Sequence, residues 1–323
     1  MNSLEQEKVL AINHFSLDMV MKNGAVNIIN DMSFSLHKGE MLGVVGESGC
    51  GKSMTALSIM QLIDAKQKTQ GEILFKNVNL LNLDKAKMRA IRGKDIAMIF
   101  QEPMTSLNPV LTVGKQLAEV FIEHEKISQA AAREKALHAL KMVNIAEPEK
   151  RIDCYPFELS GGMRQRVMIA MALSSNPYLL IADEPTTALD VTIQAQILRL
   201  IKNLTKELGT AVMFISHDLG VIAEVCTRAV ILYCGRVVEE APVNRLFKEP
   251  LHPYTQGLLA SLPEIGKRGE LNMIPGNVPS TGQYPEGCPF HPRCQYAMEK
   301  CEKLDPPEKF YQDGRRVRCW LRL

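Results

Sequence analysis

The apolar positions change their period several times along the chain. Residues 9–17 are mostly apolar, and Met32, Phe34 and Leu36 alternate with Ser33 and Ser35, the two-residue period of a half-exposed strand. Asn23-Gly24, between these runs, is a hairpin signal, so an antiparallel β layer opens the chain. Short continuous apolar runs follow at 41–45, 96–100, 178–182 and 211–215, each the length of a strand buried on both faces. Residues 71–75 resume strand character, and 229–233 with 236–239 read as a closing hairpin turning at Cys234-Gly235. Helical spacing fills the intervals. It follows Lys52 through Ala56, Leu57, Ile59, Met60, Leu62 and Ile63, and it dominates 113–145, where residues 130–137 are the clearest part. Strands alternating with helices predict an α/β core with an antiparallel β subdomain before it and an inserted helical subdomain within it.

Composition sets a boundary that periodicity misses. Ten of the 17 prolines and four of the eight cysteines fall in the last 74 residues, so a loop-rich extension is expected beyond a boundary near 260–275. The expected division is a nucleotide-binding domain over 8–260, its helical subdomain about 103–165, and a C-terminal extension over 261–323. Lys and Arg total 38 against 36 for Asp and Glu, a balance that gives no sign of a chain built to coat nucleic acid. No apolar run approaches the roughly 20 residues of a membrane-crossing helix. The first eight residues carry acidic groups and no apolar signal-peptide core, so a cytoplasmic chain with reduced cysteines is expected.

The candidate chemistry sits where the strands end. Gly46-Glu47-Ser48-Gly49-Cys50-Gly51-Lys52-Ser53 follows a buried strand and precedes a helix, the order of a phosphate-binding loop. Its glycines let successive backbone N–H groups converge on phosphate oxygens, Lys52 adds a cation for the β- and γ-phosphates, and Ser53 offers a hydroxyl to Mg²⁺. Gln101 ends one strand, facing the crevice where ligands bind in open α/β sheets; an ordinary solvated loop residue is the plain alternative. Asp183 and Glu184 end another. Adjacent carboxylates point to opposite sides, so Asp183 suits the Mg²⁺ shell and Glu184 a base for the attacking water. Leu159-Ser160-Gly161-Gly162 opens a helix, which by itself reads as a capped helix start. His217 follows a further strand, at the same crevice edge.

Together the loop at 46–53, Gln101, Leu159-Ser160-Gly161-Gly162, Asp183-Glu184, Ala188-Leu189-Asp190 and His217 resemble the ATP-binding cassette (ABC) ATPases over roughly residues 8–260. Further stretches, 101–109, 186–196 and His252-Pro253-Tyr254-Thr255, with the cysteine-bearing tail, resemble the dipeptide/oligopeptide permease ATP-binding proteins. The resemblance implies a phosphate-loop core and two cassettes that sandwich two ATP molecules head to tail. It implies that residues 46–53 bind ATP, that Ser53, Gln101 and Asp183 serve Mg²⁺, and that Glu184 is the catalytic base. His217 would contact the γ-phosphate. Ser160, Gly161 and Gly162 would complete the partner's ATP site, and Asp190 would communicate across the dimer. The partners implied are a second, related ABC ATPase in a heterodimer, two membrane permease subunits and an external solute-binding protein. Nucleic acid is not among them. The chain would lie peripherally on the cytoplasmic face of the membrane and drive peptide import, with a nickel or metal-chelate importer as the alternative, and a non-transport ABC ATPase acting on ribosome or DNA behind both. One feature departs from the family. Many cassettes stack adenine on an aromatic residue just before the strand at 26–29, yet Lys22-Asn23-Gly24-Ala25 offers none and Phe15 lies well upstream.

Cys288, Cys294, Cys301 and Cys319 leave two centres open. Zinc needs four thiolates but usually takes close pairs, and none exists here. Looser spacing suits an iron–sulfur cluster, and the permease ATPases that the tail resembles are associated with a 4Fe-4S cluster there.

Overall fold

The computed structural model describes residues 7–21, 24–63, 66–101, 106–187, 189–262 and 273–323. Lys22, Asn23, residues 102–105, Ala188 and most of the expected boundary, 263–272, lie outside the described residues. In chain order the strands are β1 (Lys8–Met21), β2 (Gly24–His37), β3 (Met41–Val45), β4 (Gln67–Phe75), β5 (Val78–Asn79), β6 (Ile96–Ile99), β7 (Leu179–Asp183), β8 (Ala211–Ser216), β9 (Arg228–Tyr233), β10 (Arg236–Pro242), β11 (Glu308–Phe310) and β12 (Arg316–Arg318). The helices are α1 (Lys52–Ile59), α2 (Lys85–Ile91), α3 (Val113–Glu125), α4 (Gln129–Met142), α5 (Pro148–Arg151), α6 (Gly161–Leu173), α7 (Val191–Leu208), α8 (Leu219–Val225), α9 (Val243–Lys248), α10 (Pro253–Ala260) and α11 (Glu299–Lys303). None of the described helices is long and apolar enough to cross a membrane.

The chain divides into two compact units. The first comprises Leu83–Met213, the segment up to Val9 and His37–Glu40; the second comprises Leu10–Leu36, Met41–Asn82 and Phe214–Leu323.

In the first unit β6 and β7 pair in parallel, Ile96 beside Leu179 through Ile99 beside Ala182. The helical stretch at 113–145 is two helices. Lys126, at φ 57, ends α3, and Ser128 caps α4 by accepting the Ala131 N–H.

In the second unit β2-β1-β4-β5 form the expected antiparallel layer. Met32, Phe34 and Leu36 are buried while Ser33 and Ser35 are half-buried, as their alternation requires. The other strands of this unit run β11-β12-β10-β9-β3, with β3 parallel to β9 and antiparallel pairing from β9 outward. Cys234 at φ 47 and Gly235 at φ 75 make the tight β9–β10 turn, where both central residues need positive φ. Helix α1 stops sooner than its apolar pattern predicts. Gln61 turns the chain at φ 47, and Leu62 is half-exposed.

The extension is more ordered than its proline content predicts. Strands β11 and β12 prolong the sheet from β10, and buried and half-buried ion pairs hold them there. Arg316 Nε donates to Glu240 at 2.7 Å and Nη1 to Glu308 at 3.2 Å, while Arg318 Nη2 reaches Asp31 at 3.1 Å and Glu308 at 3.0 Å. Behind them Glu239, fully buried, accepts the Leu251 and His252 N–H groups, each at 2.8 Å. Burial pushes the Glu239 carboxyl up and the His252 imidazole down to about 3, so His252 is neutral. Its Nδ1 accepts the Tyr254 N–H at 3.0 Å and caps α10.

His252 sets a direction for acid stability. Its pKa is about 3 in the fold against 6.5 ordinarily, so between these values the unfolded chain binds more protons and stability falls as pH falls. In thermal melts from about pH 7 down to about pH 5, the wild type should lose on the order of 2 kcal/mol in total more than His252→Asn. Asparagine keeps a capping acceptor and gains no proton. Parallel curves for the two proteins would remove His252 as the sensitive group.

Candidate active site

In the second unit the loop at 46–53 runs from the end of β3 into α1. Gly49 at φ +80 and Gly51 at φ +99 adopt the left-handed conformation that turns successive N–H groups inward. Gly46 is needed for a different reason. A Cβ there would lie 2.3 Å from the Leu232 carbonyl oxygen and 2.6 Å from Cys50 Sγ, so the requirement is space and not φ. The β9–β10 turn is tied to the loop as well, the Gly235 N–H donating to the Cys50 carbonyl at 3.1 Å. Lys52 is buried, its ammonium donating to the Gly46 carbonyl at 2.6 Å and the Glu47 carbonyl at 3.1 Å. Cys50 turns its thiol inward, where burial raises its pKa; only its backbone is available to a ligand at the loop. Ser53 is exposed at the first turn of α1, whose N–H groups point at the loop. His217, exposed after β8, precedes Asp218, which caps α8. Phe15 is fully buried in the β layer, which removes it as an adenine platform. The tail approaches the same region. A Cβ on Gly282 would lie 2.4 Å from Val26 Cγ1, and Thr281 Oγ1 comes within 3.9 Å of the Cβ position of Gly49.

In the first unit Gln101 and Glu184 come together. Gln101 Nε2 donates to Glu184 Oε2 at 3.0 Å, and Thr187 Oγ donates to the same oxygen at 3.0 Å. Glu184 sits at φ 46, a left-handed conformation that costs a non-glycine residue on the order of 1 kcal/mol and swings its carboxylate off the line of β7. Asp183, one residue earlier, remains in the strand and is buried, whereas Glu184 is half-buried.

The turn at 160–162 and the turn at Asp190 are built against each other. Ser160, exposed, caps α6 by accepting the Met163 N–H at 3.3 Å, and a Cβ on Gly162 would meet Ile193 Cγ2 at 2.9 Å. Asp190, exposed, caps α7 by accepting the N–H of that same Ile193 at 2.9 Å. The same unit holds an apolar groove of about 210 Å³ lined by Met98, Phe100, Leu107, Val120 and Met168. The apolar run after Gln101 is expected to be surface, with Met104, Leu107, Val110 and Leu111 forming a patch. Leu107 is instead buried in the groove wall, Val110 is 75 % exposed, and Met104 lies outside the described residues.

All eight cysteines of the chain are free thiols, and of the four in the extension Cys288, Cys301 and Cys319 are buried. Burial pushes the Cys288 thiol up to about 12, and Cys319, Cys301 and Cys294 push the same way because all four lie within electrostatic reach. Burial raises Cys294 and Cys319 too. Among the described residues no group of three or more His, Cys, Asp or Glu side chains converges tightly enough to hold a single metal ion. Sequence reasoning missed Tyr254 and Arg293 as neighbours of the loop; the Tyr254 Oη accepts the Glu47 N–H at 2.9 Å, and Arg293 pairs with the Glu47 carboxylate.

A family model described as ABC transporter matches residues 29–187, and one described as oligopeptide/dipeptide transporter, C-terminal region, matches 238–301. The dipeptide transport ATP-binding protein DppD of Bacillus subtilis is 48 % identical over 318 residues, covering 98 % of this chain and 95 % of that protein. This chain belongs to the ABC transporter family. A probable peptide ABC transporter ATP-binding protein of Sinorhizobium fredii is 54 % identical over 296 residues, 90 % of this ABC ATPase and 88 % of that protein. The oligopeptide transport ATP-binding protein OppD of Salmonella typhimurium is 46 % identical, covering 97 % and 93 %. Among solved structures, the ATP-binding cassette MJ0796, a dimer bound to ADP and Pi, matches with a TM-score of 0.65 at 30 % identity, covering 72 % of this chain and 98 % of that one. The cbiO1 protein from Clostridium perfringens, part of the cbiONQ complex, matches with a TM-score of 0.64 at 26 % identity, covering 76 % and 92 %.

The packing of Gly46 makes a prediction for this ATPase. Gly46→Ala drives a methyl group into the Leu232 carbonyl, so the loop must move; the melting temperature should fall by the equivalent of about 1–3 kcal/mol and binding of a fluorescent ATP analogue should be lost. Unchanged binding would mean that the loop tolerates displacement and that its spacing from β9 is not what fixes it.

Proposed function

We propose that this ABC ATPase drives uptake of dipeptides or oligopeptides through separate membrane subunits. The supporting observation is that its likeness to proteins named for dipeptide and oligopeptide transport runs through residues 238–301 as well as the cassette. In this reading the backbone of 46–53 and the Lys52 ammonium receive the phosphates of ATP. Ser53, Gln101 and Asp183 would hold Mg²⁺, which would offset charge on the phosphates. Glu184 orients a water molecule and takes its proton as the water oxygen bonds to the γ-phosphorus and the bond to ADP breaks. The Gln101 hydrogen bond to the Glu184 carboxylate supports this, since one residue then links the water-activating group to the metal shell. His217 contacts the γ-phosphate.

The working unit is a pair of cassettes, the second a related ATPase, in which Ser160, Gly161 and Gly162 close the partner's ATP site and Asp190 lies at the shared boundary. The exposed Ser160 N-cap and the half-buried glycines that open α6 support this role, because N–H groups at a helix start can receive an anion. The groove beside Phe100 and Leu107 takes a helix of a membrane subunit. An external binding protein delivers the peptide, and the chain works at the cytoplasmic membrane face. The domain division is a cassette over 8–260 and an extension over 261–323.

Cys288, Cys294, Cys301 and Cys319 hold a 4Fe-4S cluster, with zinc as the alternative. A zinc tetrahedron would draw its sulfurs to about 3.8 Å of one another. These thiols share an electrostatic neighbourhood, and their loose spacing in sequence suits a cluster more than the close pairs of zinc. The centre ties the extension together and does no redox work.

Three measurements test the proposal. In the reconstituted transporter, ATP hydrolysis should rise with a di- or oligopeptide and its binding protein; stimulation by a metal chelate alone would reassign the cargo. Glu184→Gln should keep ATP binding and slow single-turnover hydrolysis by at least about a hundredfold, whereas Lys52→Ala should weaken binding itself. Normal turnover by Glu184→Gln would remove that residue from the chemistry. Anaerobically purified protein should be brown and contain iron and acid-labile sulfide, and colourless protein with one equivalent of zinc would replace the cluster assignment.

A further inference from the structure

Glu47, the second residue of the phosphate loop, is gripped from two sides by the part of the chain beyond residue 250. Its N–H donates to Tyr254 Oη at 2.9 Å. Its carboxylate receives a two-pronged guanidinium, Arg293 Nη1 to Oε2 at 2.8 Å and Nη2 to Oε1 at 3.1 Å, the geometry that gives arginine–carboxylate pairs their directionality. The Arg293 side chain is 4 % exposed and that of Glu47 29 %. Arg293 is also fixed by what surrounds it. Nε donates to the Pro275 carbonyl at 3.0 Å, Nη1 reaches Tyr233 Oη at 3.4 Å, and the guanidinium lies 5.9 Å from the Tyr233 ring centre. Tyr233 packs on Tyr254 and Phe290 at 4.7 and 5.2 Å between ring centres. The arginine is therefore a rigid post projecting from the extension into the base of the loop.

The pairing matters because of what the loop receives. A carboxylate in a loop built for a polyanion opposes the ligand's charge, and it does so strongly where water is scarce. Bound to Arg293, Glu47 presents a neutral pair, and the loop's entrance is anchored at its backbone by Tyr254. We propose that Arg293 is a positioning residue for ATP: by neutralising and orienting Glu47 it makes the phosphate loop competent only when the C-terminal extension is docked. This rests on the reading of residues 46–53 as the ATP-binding loop.

The test is the dissociation constant of the full-length protein for a non-hydrolysable ATP analogue with Mg²⁺, with melting temperatures measured in parallel. Arg293→Ala should weaken binding by at least about tenfold, because a partly buried charge loses its partner beside the phosphates. Adding Glu47→Gln to Arg293→Ala should recover affinity to within about threefold of wild type, since the stranded carboxylate is the cause. Equal binding by Arg293→Ala and wild type would overturn the proposal. So would a double variant as weak as Arg293→Ala, which would mean general damage to the fold. If Arg293→Ala does not fold, Arg293→Gln takes its place in the same measurements, and wild-type binding by Arg293→Gln would overturn the proposal. No binding by the wild type would fail the ATP assignment itself.

Discussion

A loop that holds a triphosphate has to be shaped before the ligand arrives, because each backbone N–H that must be ordered during binding subtracts from affinity. In this ATPase the shape is imposed by close contact of main chains. Gly46 lies against the Leu232 carbonyl, and the Cys50 carbonyl accepts the Gly235 N–H. The end of β9 and the turn after it therefore act as a mould for the loop. Lys52 completes the mould from inside, its ammonium bridging two loop carbonyls in a buried position.

The local features of this arrangement were legible in the sequence. Apolar runs marked the strands, and Ser160 stood where a helix cap belongs. Where reading failed, the cause was distance along the chain. Glu47 and Arg293 are 246 positions apart, and nothing in the composition of either neighbourhood pairs them. The same holds for Arg318 and Asp31, 287 positions apart. The balanced count of charges gave no hint that some of them form pairs sealed from water, as Arg316 does with Glu240. Leu107 shows the reverse failure, an apolar residue in a proline-bounded loop that is core because Met98, Val120 and Met168 form a wall around it.

These buried pairs also explain why a proline-rich extension is ordered. Leu251, Val317 and Cys319 form an apolar cluster beside Tyr311, and Phe290 packs on Tyr233. Directional contacts add to this packing: Arg316 and Arg318 dock β12, Glu239 binds two N–H groups at the entrance to α10, and Arg293 reaches the loop. Breaking one partner of such a pair strands the other, so the extension and the loop are sensitive to each other in a way that apolar packing would not produce.

That mutual dependence is most directly visible in amide hydrogen exchange of the full-length protein, with and without ATP and Mg²⁺ under conditions that block turnover. If the loop and the extension are one mechanical unit, nucleotide should slow exchange at residues 46–53 and, in the same titration, at residues around Tyr254 and Arg293. Protection confined to the loop, with the extension exchanging at its nucleotide-free rate, would contradict the coupling.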